Sequence, residues 1–176
     1  MDERRIAWAI TGGGQALEEC IETALNYDRV DIFLSKAAEE VVRLYRFDAR
    51  IAVPKMRIYE ETKASAPLVV RFFAGVYSIL VVAPATSNSV AKFVNGISDS
   101  EVTNLFAQAG KSRVPVIVYP TDLAPEMNSV GPKGERFKVY PRPIDLENTE
   151  RLRSFPGVTV VGSREELERC ISAFVK

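Results

Sequence analysis

Ser78-Ile79-Leu80-Val81-Val82-Ala83-Pro84-Ala85, followed at once by Thr86-Ser87-Asn88-Ser89, is the most informative stretch of the chain. An unbroken apolar run of this length has no polar face to show to water. It reads as a strand buried on both sides, which is how the central strands of a parallel sheet covered by helices are built. The four small hydrogen-bonding residues after it stand where the strand stops and a helix starts. One of them suffices as a helix N-cap, whereas four together suit a ligand rich in hydrogen-bond acceptors.

The pattern around this run alternates β-branched stretches with helix-period segments, the signature of an α/β sandwich. Strands are expected at 5–11, 30–34, 114–119 and 158–161, with a weaker one at 50–53. Helices are expected at 14–26, where Ala16, Leu17, Cys20, Ile21, Ala24 and Leu25 share one face, and at 37–45. Further helices are expected at 66–74 (opened by Pro67), 89–95, 99–109 and 146–153. Gly110 is the expected end of the 99–109 helix, and Asp99 fits its N-cap. Ser163 and Glu166 form a capping box for a last helix.

Between Pro120 and Pro143 five prolines and two glycines interrupt the apolar period. Residues 128–130 and 136–140 are expected to pair as a hairpin across Pro132-Lys133-Gly134-Glu135. Such an excursion reads as a lid or an assembly arm. The expected architecture is a Rossmann-like three-layer sandwich with a mostly parallel sheet, one domain over 1–176.

With 176 residues, 47% of them hydrophobic, the chain can bury about 70% of its extended surface. Its 23 basic and 23 acidic residues balance, which argues against a chain whose main task is gripping nucleic acid or an anionic membrane. No signal peptide or membrane span is visible, and two cysteines 150 positions apart carry no metal spacing, so a cytoplasmic protein is expected. There is no histidine at all, which removes every triad, zinc site and proton transfer that needs imidazole.

In an open α/β sheet ligands bind beyond the carboxyl ends of the strands. The loops there contain Thr11-Gly12-Gly13-Gly14-Gln15, Ser35-Lys36, Pro84 to Ser89 and 120–128. Three glycines between strand and helix let backbone N–H groups approach an anion; the plainer alternative is a tight turn needing positive φ. A dinucleotide fingerprint would put its third glycine where Leu17 stands, and no acidic residue follows the second strand, so a mononucleotide is favoured over NAD. Gly110-Lys111-Ser112 is not a phosphate loop, because Leu105 replaces the required glycine and a helix precedes the segment.

Ala83-Pro84-Ala85-Thr86-Ser87-Asn88-Ser89, followed by Ala91-Lys92, Asn95-Gly96-Ile97 and Asp99, resembles the PASANT motif of the flavoprotein superfamily of homo-oligomeric flavin-containing cysteine decarboxylases. Ile10-Thr11-Gly12-Gly13 is similar to that family's opening TGS loop, and Pro125-Glu126-Met127-Asn128 to the first half of PxMNxxMW. The resemblance spans roughly residues 5–130. The wording of Ala66-Pro67-Leu68, Arg71-Phe72-Phe73 and Tyr140-Pro141-Arg142-Pro143-Ile144-Asp145 looks closest to the archaeal branch of archaeoflavoproteins and dihydromethanopterin reductases.

The resemblance implies non-covalent FMN, bound at a subunit interface of a trimer or an assembly of trimers. Thr11, Gly12, Gly13, Gly14, Ser35 and Lys36, with Pro84, Ala85, Thr86, Ser87, Asn88 and Ser89, would hold the cofactor. Met127 and Asn128 would lie on the substrate side. The absent histidine and the Gly131-Pro132 that replaces Met-Trp argue against cysteine decarboxylation.

What remains is an FMN-dependent oxidoreductase or electron carrier. Reduced ferredoxin is the implied donor, and a pterin or a second redox protein the acceptor. Dihydromethanopterin reductase proper is an alternative, as is a non-catalytic nucleotide-binding relative. Lys36, Lys55, Arg57, Lys63, Arg71, Lys133, Arg136, Lys138 and Arg142 are candidates for a donor-docking patch.

Overall fold

The computed structural model describes residues 4–61 and 66–175, with side chains for all of these except 66–69. Six parallel strands form one sheet: β1 (Arg5–Ile10), β2 (Val30–Leu34), β3 (Met56–Glu60), β4 (Tyr77–Ala85), β5 (Val116–Pro120) and, at the far edge, Val158–Val160. A two-stranded antiparallel ribbon, β6 (Met127–Val130) with β7 (Arg136–Val139), intervenes, so the far-edge strand is β8. The order across the sheet is β3-β2-β1-β4-β5-β8. The chain thus winds one way from β1 to β3 and the other way from β4 to β8, leaving a crevice between the carboxyl ends of β1 and β4.

Helices cover both faces. On one lie α1 (Leu17–Leu25), α2 (Lys36–Leu44) and the short α3 (Asp48–Ile51). On the other lie α4 (Ala66–Phe73), α5 (Ser87–Val94), α6 (Glu101–Lys111) and α7 (Pro143–Arg153). The last helix, α8 (Arg164–Ser172), joins α1 on the first face. β1 and β4 are buried on both sides as their composition requires: even residues of β1 pack with α1 and α2, and Ala7 and Ala9 with α5 and α6. Trp8 is fully enclosed, and its indole N–H donates to the Ala83 carbonyl at 2.9 Å, fastening β1 to β4.

Three local expectations are corrected. Residues 50–53 are not a strand; 48–51 form α3, and the third strand is β3, six residues later. As an edge strand, β3 buries only Met56 and exposes Arg57, Ile58 and Glu60, so its alternation is masked by charge. Helix α6 runs through Gly110 to Lys111, and its end is made by Ser112, whose hydroxyl donates to the Gln108 and Ala109 carbonyls, with Arg113 taking positive φ. The N-cap of α6 is Ser100, in a reciprocal box with Thr103, while Asp99 pairs with Lys92 at 2.9 Å.

At α8 the Ser163 hydroxyl accepts from Glu166 N–H as expected, but the Glu166 carboxylate turns back to Gly162 N–H at 2.7 Å. The expected hairpin is present as β6 and β7. Among the described residues no helix is long and apolar enough to cross a membrane.

Candidate functional site: a polar shelf beside a hairpin-covered cleft

Thr11, at the end of β1, is buried and spans the crevice. Its hydroxyl donates to the Pro84 carbonyl at 3.0 Å and accepts from Thr86 N–H at 2.7 Å, and its own N–H donates to Pro84 O at 3.1 Å. Thr11 is therefore a staple between the two loops, with its hydrogen-bonding capacity spent internally.

The glycines that follow none the less leave room beside it. None of Gly12, Gly13 and Gly14 has positive φ; the left-handed residue of this loop is Ala16, at φ 58°. What glycine provides is close approach. A Cβ on Gly13 would lie 2.8 Å from Thr121 Cγ2 and 3.2 Å from Thr86 Cγ2, and one on Gly12 or Gly14 would collide with Ala37 or Tyr45.

Three helices begin around this loop. Ser35 caps α2, accepting from Ala38 N–H at 3.1 Å. Lys36 N–H is taken by Glu61 at 2.9 Å, and the Lys36 side chain is exposed. The other two helices, α1 and α5, have no side-chain cap at all. At α5 the N-cap Thr86 has its hydroxyl against Ser89 Oγ at 3.3 Å, and the Ser87 hydroxyl donates to the Asp122 carboxylate. The first-turn N–H groups of Ser87, Asn88 and Ser89 have no acceptor among the described residues. Burial and the nearby Asp145 raise the Asp122 pKa, favouring the protonated form relative to a free aspartate. Two uncapped helix starts beside a glycine loop form a shelf of free N–H donors with the positive ends of two helix dipoles.

On the other side of Gly14 the chain encloses a cleft of about 870 Å³, roofed by the β6–β7 hairpin. Its lining includes Gly14, Gln15, Tyr45, Tyr119, Met127 and Asn128. The hairpin is tied down at two points: Gln15 Nε2 donates to the Asn128 carbonyl at 3.2 Å, and the Tyr45 hydroxyl to that of Val130 at 3.0 Å. A smaller space of about 120 Å³ between Gly13, Thr121, Asp122, Met127 and Ser129 continues it toward the shelf.

The candidate residues thus divide. Gly12, Gly13, Ser35 and Thr86 to Ser89 surround the shelf, whereas Met127 and Asn128 line the cleft. Pro84 and Ala85 are buried and shape the shelf from below. Glu19, Tyr45 and Thr121 carried no separate sequence signal, because only the sheet order and the hairpin's return bring them to one cleft.

Several of the basic candidates are engaged in ion pairs of their own. Arg71 turns in to Asp31, Lys138 pairs with Glu126 and Arg142 with Asp145, and Lys63 lies outside the described residues. Tyr59 stacks on Phe33 with ring centroids 5.0 Å apart, and Tyr77 is buried, so both are packing residues; Tyr140 is exposed.

Known proteins are similar to this chain along most of its length. A solved structure of Burkholderia xenovorans DmrB in complex with FMN, described as a cubic protein cage for redox transfer, superposes with a TM-score of 0.88 at 40% identity, covering 98% of this chain and 95% of that one. An uncharacterized protein of Methanocaldococcus jannaschii is 38% identical over 95% of this chain and 94% of its own length. A dihydromethanopterin reductase (acceptor) of Methanosarcina mazei is 38% identical over 89% of this chain and 67% of its own. Residues 1–173 match the Flavoprotein family, and the chain belongs to it.

Proposed function

We propose that the shelf binds FMN and that the protein is an FMN-dependent oxidoreductase, with the cleft receiving the molecule that exchanges electrons with the flavin. The observation that carries the reading is the pair of uncapped helix starts at α1 and α5, flanking glycines whose Cβ positions are filled by neighbours. Free N–H groups converging at a helix start suit a phosphate monoester. FMN binding by the 40%-identical DmrB, and the reductase name of the Methanosarcina mazei relative, support the choice of cofactor and reaction class.

Bound there, FMN supplies one- or two-electron redox chemistry, and the protein supplies placement. Ser87, Asn88 and Ser89 donate to the phosphate or the ring edge, Thr11 holds the two loops at fixed separation, and the hairpin excludes water from the cleft. Reduced ferredoxin fits as donor and a dihydropterin as acceptor. Homo-oligomeric assembly and a cytoplasmic location belong to the same proposal. The lack of histidine leaves no imidazole for decarboxylase chemistry.

The test is an absorption spectrum of the protein as purified, followed by anaerobic addition of reduced ferredoxin. A flavin spectrum that bleaches supports the reading. Bound FMN that ferredoxin leaves oxidised removes the donor, and a protein that neither carries nor takes up FMN removes the function.

A further inference from the structure

The cleft has a charge that its own scaffold does not balance. Three carboxylates of α1, Glu18, Glu19 and Glu22, line it. Glu18 pairs with Arg50 at 3.2 Å, and Glu22 with Arg50 at 3.2 Å and Arg164 at 2.8 Å. Glu19 has no cation within ion-pair distance among the described residues; its one polar contact there is the Tyr119 hydroxyl, which donates to Oε1 at 2.6 Å. Tyr119 is 7% exposed, and burial together with Glu19 pushes its pKa well up, so the phenol keeps its proton and Glu19 serves as acceptor. A carboxylate offers about four lone-pair directions, and the phenol takes one. The rest are free to accept from a ligand.

The shape of the cleft narrows the ligand. Tyr45 and Phe47 lie nearly parallel, ring centroids 6.4 Å apart and planes 12° from one another, and both line the same cleft as Leu123 and Met127. Flat apolar walls with one oriented carboxylate suit a planar heterocycle carrying adjacent N–H donors. The carboxylate fork matches such a donor pair as it matches a guanidinium.

Resting on the oxidoreductase reading of this cleft, we infer that Glu19, held by Tyr119, selects a 2-amino-4-oxopyrimidine ring, that of a pterin, through its ring N–H and 2-amino group. The pair is a specificity determinant: it orients the acceptor and takes no electrons. Anionic acceptors and rings with a carbonyl at position 2 are disfavoured, because they would set an oxygen against the carboxylate.

Calorimetric titration of the protein as purified with pterin and with lumazine, which has a carbonyl in place of the 2-amino group, tests this. Flavin content is measured separately by absorbance. The wild type should bind pterin at least about 10-fold more tightly than lumazine, as expected where a site hydrogen-bonds a group that the analogue lacks. Glu19→Gln should bring the ratio to about one, because the amide both donates and accepts. Tyr119→Phe should narrow it less, with unchanged flavin content. Equal binding of the two rings by the wild type, binding of neither, or discrimination that survives in Glu19→Gln overturns the inference. Discrimination in a protein that takes up no FMN would retain the pterin site and remove the flavin reading; bound FMN without discrimination would do the reverse.

Discussion

At the amino end of the sheet a fully buried carboxylate, Asp31, is surrounded by donors: Arg5 Nε at 2.6 Å, the Tyr77 hydroxyl at 2.8 Å and Arg71 at 3.3 Å, with the Arg71 guanidinium also donating to Tyr59 at 2.7 Å. At the carboxyl end the arrangement differs in kind: two helices start without caps, Thr11 is the main tie between loops, and Glu19 faces a cleft with a phenol as its only described partner. Both ends are made by the same strands. One closes its polar groups on each other and holds β1, β2 and β4 in register; the other leaves donors and a charge turned outward, the condition for recognising a ligand.

Substitutions at either end separate the two roles. Asp31→Ala leaves two guanidiniums without their buried partner and should cost about 3–5 kcal/mol of stability, read as a lowered unfolding midpoint. Flavin affinity of the molecules that remain folded should hold. Lost flavin with stability intact would mean that the two ends are not separate in role.

Gly13→Ala should have the complementary effect. Its methyl meets Thr121 and Thr86 on the shelf, so about 1–3 kcal/mol of strain falls at the proposed cofactor site, and FMN affinity should drop in a flavin titration. Unchanged FMN affinity would place the phosphate elsewhere.

Glu101 gives a pH test. It is 3% exposed at the start of α6, its Oε1 has no hydrogen-bond partner among the described residues, and burial with Glu61 and Glu39 nearby pushes its pKa up to about 7. A carboxyl whose folded pKa lies above its unfolded value binds more protons when folded, so stability falls as pH rises from about 4.5 through 7. Glu101→Gln should remove that slope, leaving the variant more stable than wild type at pH 8 by about 1–2 kcal/mol and near parity at pH 4. Parallel pH–stability curves would contradict this placement of the charge.

The smallest expected effect is that of Thr11→Val. It removes the acceptor of Thr86 N–H and one donor to Pro84, at about 1 kcal/mol, and should weaken FMN binding by loosening the shelf. A variant with lower stability and wild-type FMN affinity would make Thr11 a fold residue alone.

How much of this was legible follows from where each signal is local. The Ile79–Ala85 run, the glycines after β1 and the Thr86–Ser89 cluster gave the parallel sheet and the shelf, since burial on both faces and the free N–H groups of a helix start are written in adjacent residues. Strand β3 was misplaced because an edge strand bearing Arg57 and Glu60 has no hydrophobic period to read, while Ile51 and Val53 imitate one. Gly110 misled because a glycine at an exposed helix position need not end the helix when Ser112 can take the last carbonyls. The Glu19–Tyr119 pair in the cleft was not legible in the sequence: the two residues are 100 positions apart, and only the sheet order brings α1 beside β5 and the hairpin over both.

Whether the shelf is a phosphate site is decided by titrating flavin-free protein with FMN and with riboflavin, which lacks only the phosphate. Two uncapped helix starts acting on the phosphate predict that FMN binds at least about 100-fold more tightly, with the gap shrinking as salt rises. Equal affinities for the two flavins, or no binding of either, would contradict the account.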